Sequence, residues 1–133
     1  MYSNLLTDVY SVFASASWVT TGYKAYPIHY SGAIDSTQPF IRISVLPAKG
    51  EVDSHGITKK IQGLLILSIY VSAAEGATKL FQIADTIDGF FEGKTLTNGT
   101  QFKTSYINTL GLDSANDALY RGDYTINFTA YGE

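Results

Sequence analysis

The stretch that decides the fold is KKIQGLLILSIYV, residues 59–71, because apolar side chains fill both of its alternating sets. The odd-numbered set holds Ile61, Leu65, Leu67, Ile69 and Val71, and the even-numbered set holds Leu64, Ile66 and Tyr70. A strand with one face in water alternates apolar and polar residues, whereas a strand covered on both faces reads as a continuous apolar run. The segment therefore predicts a central strand with cover on both faces.

A second strand precedes it. Residues 40–46 alternate Ile41, Ile43 and Val45 with Phe40, Arg42, Ser44 and Leu46, and Pro47 is expected to end the strand. Residues 48–58 between the two strands are polar and contain glycine. The pair predicts a long β-hairpin whose tip, near residues 50–56, projects from the body of the protein. We call residues 48–58 the arm.

Two amphipathic helices are predicted on either side of this hairpin. Residues 4–16 and 74–92 each carry apolar side chains at helical spacing, and Gly93 follows the second helix where a left-handed residue is usually needed. Between the first helix and Phe40, residues 18–30 are interrupted by Gly22 and Pro27 and predict a short or irregular edge strand.

The C-terminal third predicts further antiparallel strands. Residues 94–97 and 101–107 flank an Asn-Gly pair typical of a tight hairpin turn, residues 108–117 are expected to form a polar loop, and residues 120–130 alternate as a half-buried strand. The fold class is thus α+β: a mainly antiparallel sheet with two helices packed on one face and a long projecting β-hairpin. The 133 residues are expected to form a single domain, 1–133.

Composition limits the function. Charged residues make up 16% of the chain, against roughly 25% in typical soluble domains, which favours a surface partly covered by a partner. The net charge of -3 argues against general or specific nucleic-acid binding. The chain has no cysteine, and no apolar run reaches the roughly 18 residues of a membrane span, so we expect synthesis in the cytoplasm and no membrane partner.

No pattern of catalytic residues emerges. His29 and His55 lack a partner at metal-ligand spacing, and no phosphate-binding loop or nucleophile elbow is present. The carboxylate pairs are interpreted as solvated: Glu51 with Asp53, Asp85 with Asp88, and Asp113 with Asp117. We predict that the protein is not an enzyme and holds no cofactor or metal. A weak calcium site in the loop containing Asp113 and Asp117 is the open alternative.

Candidate contact residues come from the strands and the arm. Arg42, Tyr120 and Arg121 are proposed anchors, because arginine and tyrosine are enriched among interface residues that dominate binding. The remaining candidates are a basic group, Lys49, Lys59 and Lys60, and the arm residues Glu51, Asp53 and His55. All of these also fit an ordinary solvated strand or loop.

The segment Arg42-Ile43-Ser44-Val45-Leu46-Pro47 resembles the Arg-x-Ser-Val-Leu-Pro strand of tail-terminator proteins from long-tailed bacteriophages. The resemblance continues through residues 62–71, 75–76, 83–87 and 90–91, and covers about half of the chain.

The resemblance implies a structural virion protein with no catalytic activity. Six copies commonly form a ring at the head-proximal end of the tail tube, stop its polymerisation and offer a docking surface to the neck or head-tail connector. DNA passes through such a ring without specific binding. Two alternatives stay open: another joint component, such as a neck or tail-tube subunit, and a small ligand-binding domain with a pocket between sheet and helices.

Overall fold

The computed structural model describes residues 2–27, 39–52, 59–96, 99–112 and 119–132. Its elements in chain order are α1 (Tyr2–Ala14), α2 (Ala16–Thr20), β1 (Lys24–Pro27), β2 (Phe40–Val52), β3 (Lys59–Ser72), α3 (Gly76–Phe91), β4 (Gln101–Leu112) and β5 (Leu119–Gly132). These three helices and one five-stranded sheet form an α+β fold, which confirms the predicted class.

The sheet has the strand order β1-β2-β3-β5-β4. β1 runs parallel to β2, and every other neighbouring pair is antiparallel. β3 lies in the middle, as its apolar sequence predicted, with β2 on one side and β5 on the other. Residues that are paired in register share a face of the sheet, so Ile41, Ile69 and Gly122 lie in one row.

The helices pack on the face that carries the odd-numbered side chains of β3. All five odd-numbered apolar residues of that strand are buried together with α1 and α3 side chains in one core. The contribution of α1 and α3 consists of Leu5, Val9, Val12, Leu80, Ile83, Ala84, Ile87 and Phe91. Gly93 follows α3 with a φ of 72°, the left-handed conformation predicted for this position.

The even-numbered face of β3 is only half-buried at Leu64, Ile66 and Tyr70. The described helices all contribute to the core on the opposite face. Cover on both faces of β3 was predicted; on the even-numbered face, Ser68 is 5% exposed and the three larger side chains keep partial exposure. We call this even-numbered side of the sheet the open face.

The base of the arm differs from the prediction. β2 does not end at Pro47: it passes a bulge between Pro47 and Gly50 and continues to Val52. Lys49 falls within that bulge, and Lys60 pairs with Glu51 across the hairpin. A bulge lets an antiparallel ladder resume after residues that cannot pair. The arm residues Asp53 and His55 lie outside the described residues.

The segment before β2 also corrects an expectation. Residues 16–20 form the short helix α2, with the Ser15 hydroxyl oxygen accepting a hydrogen bond from the Trp18 amide, and the edge strand is confined to Lys24–Pro27. His29 lies outside the described residues. Trp18 is 1% exposed and belongs to the core, and this burial explains why a helical turn replaces the predicted strand.

The predicted second hairpin is present but short: the Phe102 amide donates to the Lys94 carbonyl oxygen and the Leu96 amide to the Thr100 carbonyl oxygen, each at 2.8 Å. Thr95 makes a single bridge to Gln101, and β4 pairs with β5 along its length. β4 continues to Leu112, so the expected loop at residues 108–112 is wrong, because a bulge between Thr109 and Gly111 accommodates the glycine within the strand. Asp113 and Asp117, the candidate calcium ligands, lie outside the described residues.

α3 lies close against β5 at Gly122. A Cβ atom built there would lie 2.7 and 2.8 Å from the two Cδ atoms of Leu80 and 3.1 Å from the Asn108 carbonyl oxygen. We expect Gly122→Ala to lower the free energy of unfolding by about 1–2 kcal/mol, because extra atoms in a packed core force side chains and backbone to shift.

Chemical denaturation measures this effect, and Gly89→Ala is the matched control. A Cβ at Gly89, on the exposed side of α3, meets nothing within 4 Å. Alanine should stabilise the helix there by up to about 1 kcal/mol. Equal stabilities for the two variants would contradict the close approach of α3 to β5.

Candidate interaction surface

Two rows of side chains cross the open face. Register places Tyr26 beside Arg42, then Ser68 and Asp123 on the next two strands. The neighbouring row runs from Phe40 through Tyr70 to Arg121. The rows span four strands of the sheet, so the backbone hydrogen bonds of the ladders fix their relative positions.

Aromatic rings form the floor of this surface. The rings of Phe40 and Tyr70 stack with centroids 4.7 Å apart and planes at 10°, and Tyr26 meets Phe40 edge-on at 6.5 Å. Stacking accounts for the burial of Phe40, which is 6% exposed although its strand face carries no described helix. Tyr70 stays half-buried and presents one side of its ring to neighbouring groups.

Arg121 is held above this floor. Its guanidinium carbon lies 5.5 Å from the Tyr70 ring centroid, its Nε lies 3.4 Å from a carboxylate oxygen of Asp123, and it donates a hydrogen bond of 3.5 Å to the Ser68 hydroxyl oxygen. Partly exposed ion pairs add little stability, but three contacts restrict the side chain to one region. The result is a pre-positioned, half-exposed arginine.

Arg42 lies on the same face, separated from the Arg121 strand by β3. The structure thus brings together two of the three predicted anchors. Tyr120 lies on the opposite face, half-buried against the core, because neighbouring residues of a strand point to opposite sides. Lys59, Lys60, Lys49 and Glu51 lie in β3 and β2 at the far end of the hairpin, remote in register from Arg42.

The described charges of the open face are mainly positive. Lys24, Arg42 and Arg121 face a single carboxylate, Asp123, in the rows defined by register. Large apolar groups lie further along the same face: Leu46 is 49% exposed, Tyr106 is 56% exposed, and Leu64 and Ile66 are half-buried. A face that combines arginine, tyrosine and aliphatic side chains has the composition of a protein-protein interface core.

A polar cluster joins α3 to β4 and β5 on the opposite side. The Ser105 hydroxyl oxygen lies 2.8 Å from Asp88 Oδ1 and 2.7 Å from Glu92 Oε2, and the Tyr124 hydroxyl donates to the same Asp88 oxygen. Asp85 is exposed, as predicted, but the solvated interpretation of Asp88 is wrong. Tyr124 lies in the inward set of β5, and a buried tyrosine hydroxyl needs a partner. That need is the sequence signal from which this hydrogen bond could have been predicted.

A shallow pocket of about 190 Å³ lies beside this cluster. Its walls include Phe81, Asp85 and Asp88 of α3 and Ser105, Tyr106 and Ile107 of β4. Phe81 is 45% exposed. The pocket therefore combines two carboxylates with aromatic and aliphatic walls at the β4 edge of the sheet.

We expect Tyr124→Phe to lower the free energy of unfolding by about 1 kcal/mol near neutral pH, because the Asp88 hydrogen bond is lost. Burial, followed by that hydrogen bond, raises the pKa of Tyr124 above the ordinary tyrosine value. In the unfolded chain the phenol ionises near pH 10, whereas in the folded protein it stays protonated to higher pH. The contribution of Tyr124 to the free energy of unfolding therefore declines as pH rises above about 10. The decline approaches about 1.4 kcal/mol per pH unit.

Urea unfolding of both proteins from about pH 8 to 11 tests this prediction. The stability difference should shrink above about pH 10 and vanish near pH 11. Tyr106→Phe is the control, because it also removes one tyrosine hydroxyl but at a side chain that is 56% exposed. A pH-independent difference for Tyr124→Phe would contradict the assignment.

Within the described parts of the chain, no three His, Asp or Glu side chains converge as metal ligands would. Of the helices that the structure describes, none has the length and apolar character needed to cross a membrane.

Comparison with known proteins supports the fold alone. No protein-family model matches the chain, and no curated protein matches it. One similar solved structure superimposes with a TM-score of 0.61 at 14% sequence identity, covering 90% of this chain and 84% of that chain. Its name states no activity or partner, so the likeness extends to the α+β architecture and not to function.

Proposed function

We propose that this protein is a structural virion component of the tail-terminator type, which assembles into a ring at the head-proximal end of a phage tail tube. The observation that carries the proposal is the open face, a sheet surface with pre-positioned arginine and exposed apolar groups. Exposed apolar area of this kind marks a contact surface. The sequence resemblance of residues 40–47 and 62–71 to tail-terminator proteins is the reason for proposing this particular assembly.

Ring formation suits the distribution of these groups. The open face differs chemically from the helix-covered side of the sheet. If the open face of one copy contacts a different surface of the next copy, the contact is heterologous. Heterologous contacts close into rings when the rotation between copies divides a full turn. A hexamer on the tube stops polymerisation by occupying the tube end and presents its outer side to the neck or connector. DNA passes through the central opening.

The exposed β4 edge is compatible with this assembly. Leu110 and Leu112 are 54% and 59% exposed on β4, which lies at the edge of the described sheet. In a monomer, such apolar groups on a strand edge favour association. The predicted reach of the arm toward a neighbouring subunit or the tube remains part of the proposal, and its tip lies outside the described residues.

Tube capping is the direct test of the proposed function. Adding the purified protein to growing tail tubes should arrest elongation and leave a ring at one end of each tube in negative-stain images. A neck protein would bind without arresting growth, and a tube subunit would lengthen the tubes. Either result would contradict a terminator role.

The ligand-binding alternative receives little support from the described residues. The pocket at the β4 edge and a second pocket of about 290 Å³ near Tyr23 and Lys79 are surface depressions rather than a chamber between sheet and helices. Small-molecule sites are usually enclosed and about 300–1,000 Å³ in volume.

A further inference from the structure

The two edge strands of the described sheet differ in how they are protected against further pairing. β1 is four residues long and ends at Pro27, and short strands and prolines commonly prevent a sheet from extending. β4 is 12 residues long, and its segment 105–112 contains no proline and no charged residue. We call residues 105–112 the uncharged edge. An edge of this composition is open to pairing with another strand.

The fold already places extended backbone beside the start of β4. The Phe102 amide donates to the Lys94 carbonyl oxygen at 2.8 Å, and the Gly93 amide donates to the Lys103 carbonyl oxygen at 3.3 Å. Because Phe102 is also paired with Phe128 of β5, these contacts lie on the outer side of β4. An edge strand presents a row of backbone amides and carbonyls outward, so the uncharged edge can accept a further extended segment in the same way.

The shallow pocket beside α3 lies where a strand added to this edge would direct its side chains. Ser105 and Ile107 are paired with Ile126 and Tyr124, which are buried in the core, so both point toward α3. Directly paired residues on neighbouring strands share a face, with Cβ atoms about 4.5–5.5 Å apart. A residue paired with Ser105 or Ile107 therefore points toward the α3 wall of the pocket.

That wall is acidic and has an apolar side. Asp85 and Asp88 line the pocket, and Glu92 follows one helical turn later. The Ser105 hydroxyl lies 2.8 Å from Asp88 Oδ1 and 2.7 Å from Glu92 Oε2, but its single proton reaches only one carboxylate at a time. A cationic side chain supplies further donors and makes charge-assisted hydrogen bonds to carboxylates. Phe81, which is 45% exposed, can pack against its aliphatic stem.

The basic residues of this region lie away from the acidic wall. Lys79 lies over the Tyr23 ring at 5.4 Å, beside the second pocket. Lys94 and Lys103 precede the uncharged edge, on the other side of the bulge between Phe102 and Ser105. Among the described residues that line the pocket, none is a lysine or an arginine.

We propose that the uncharged edge of β4 binds an extended segment of another protein by strand addition, with a lysine or arginine of that segment in the pocket beside α3. The backbone of the edge recognises an extended segment, and the acidic wall recognises a basic side chain. This inference goes beyond the proposed ring, because it concerns a contact with a different protein and does not depend on the terminator role.

A second copy suits this site less well. Two uncharged edges paired with each other would bring no cation to either pocket. β1 of a second copy would place Ala25 and Pro27 on the side of the pocket, because Ala25 is paired with the buried Ile41, and its Lys24 would lie on the opposite face. Neither described edge strand of this chain therefore matches the charge of the pocket.

A synthetic peptide measures the proposed binding. The probe is a fluorescein-labelled peptide that alternates valine with threonine and carries one arginine in the valine set at its centre. It should bind the protein saturably in fluorescence anisotropy. Replacing that arginine with glutamate should weaken binding about tenfold or more. Absence of saturable binding of the arginine peptide would overturn the proposal.

Backbone methylation separates strand addition from attraction between charges alone. Successive amides of an extended peptide point to opposite sides, so only one alternate set faces β4. N-methylation of that set should abolish binding, whereas methylation of the other set should change the Kd by less than about twofold. Equal effects of the two sets would mean that the contact is not a strand pairing, and the proposal would fail.

Charge reversal tests the acidic wall. Asp85→Lys, at an exposed site, should weaken binding of the arginine peptide about tenfold or more and strengthen binding of the glutamate peptide. Glu75→Lys is the matched control: it makes the same charge change about 15 Å away along α3, beyond a Debye length, and should alter the Kd by less than about twofold. Equal losses from the two variants would contradict the inference.

Thermal melting confirms that each variant is folded, and Asp85→Asn should show a smaller loss in the same direction if Asp85→Lys unfolds. Sedimentation velocity of the native protein tests the other occupant. A self-associated form that competes with the arginine peptide would assign the uncharged edge to a second copy and overturn the proposal. Tube capping is measured separately, so either this contact or the terminator role can fail while the other stands.

Discussion

Replacing Trp18 with alanine is expected to lower the free energy of unfolding by about 3–5 kcal/mol, the range observed when a buried tryptophan or phenylalanine is truncated. Trp18 is 1% exposed, and its ring meets Phe13 edge-on at 4.8 Å and Phe90 edge-on at 5.2 Å. Its indole nitrogen donates a hydrogen bond of 3.1 Å to the Tyr23 carbonyl oxygen. Truncation removes all of these contacts and leaves that carbonyl without its donor.

The expected loss is large because α2 has only five residues. Isolated helices shorter than about 12 residues are marginal in water, so tertiary contacts through Trp18 maintain this turn. We therefore expect the variant to lose the ordered connection between α1 and β1 as well as stability.

Urea unfolding followed by far-ultraviolet circular dichroism measures this prediction, since the variant lacks the fluorophore. Val19→Ala is the matched control on the same helix, and its 63% exposed side chain should change stability by less than about 0.5 kcal/mol. A Trp18→Ala effect as small as that of Val19→Ala would show that the ring does not anchor α2.

The main strands and helices follow from local pattern. The continuous apolar run at residues 59–71 predicted the central position of β3, and helical spacing predicted α1 and α3 on one face. α2 was missed because its helical state depends on the burial of Trp18 against Phe13 and Phe90, a contact that sequence spacing alone does not specify.

The open face shows a different limit of sequence patterns. An apolar side chain is equally apolar whether it is covered by its own chain or by another, so the even-numbered set of β3 predicted cover without indicating its source. In the described structure, Leu64 and Ile66 are half-buried, and the chain's own helices lie on the other side. The remaining exposure of Leu64 and Ile66 is consistent with contact to a second molecule, as in the proposed assembly.

The predicted anchors Arg42, Tyr120 and Arg121 show which features of an interaction surface can be predicted from the alternation of side chains along a strand. Because neighbouring residues of a strand point to opposite faces of the sheet, Arg121 and Tyr120 lie on different faces, and so do Arg42 and Ile41. Alternation does not specify that β3 lies between β2 and β5, and this strand order is what brings both arginines and Tyr70 into one surface. Their proximity is a property of the topology, which joins residues about 80 positions apart.

Asp8 is the clearest case of a long-range polar contact that local pattern misses. For the predicted helix of residues 4–16, its position indicates a favourable interaction with the helix dipole. The structure instead shows a carboxylate that is 1% exposed and accepts hydrogen bonds from the Thr100 hydroxyl at 2.7 Å and from the Thr100 amide at 3.4 Å. It thus connects α1 to the residue that immediately precedes β4.

Asp8→Ala is expected to lower the free energy of unfolding by about 1.5–3 kcal/mol, the range for hydrogen bonds to a charged group. Truncation leaves the buried Thr100 amide and hydroxyl without this acceptor, and water has little access to a site where both side chains are almost fully buried. Asp8→Asn retains an acceptor oxygen and should lower the free energy of unfolding by less than half as much as Asp8→Ala.

A double-mutant cycle with Thr100→Val separates the contact from general effects of each substitution. Because the two side chains bond directly, the double variant should be less destabilised than the sum of the single variants, with a coupling of about 1 kcal/mol or more. Asp85→Ala is the matched control, an exposed aspartate on α3 whose loss should change stability by less than about 0.5 kcal/mol. Additive effects of Asp8→Ala and Thr100→Val would mean that the contact between these two side chains does not help to hold α1 on the sheet.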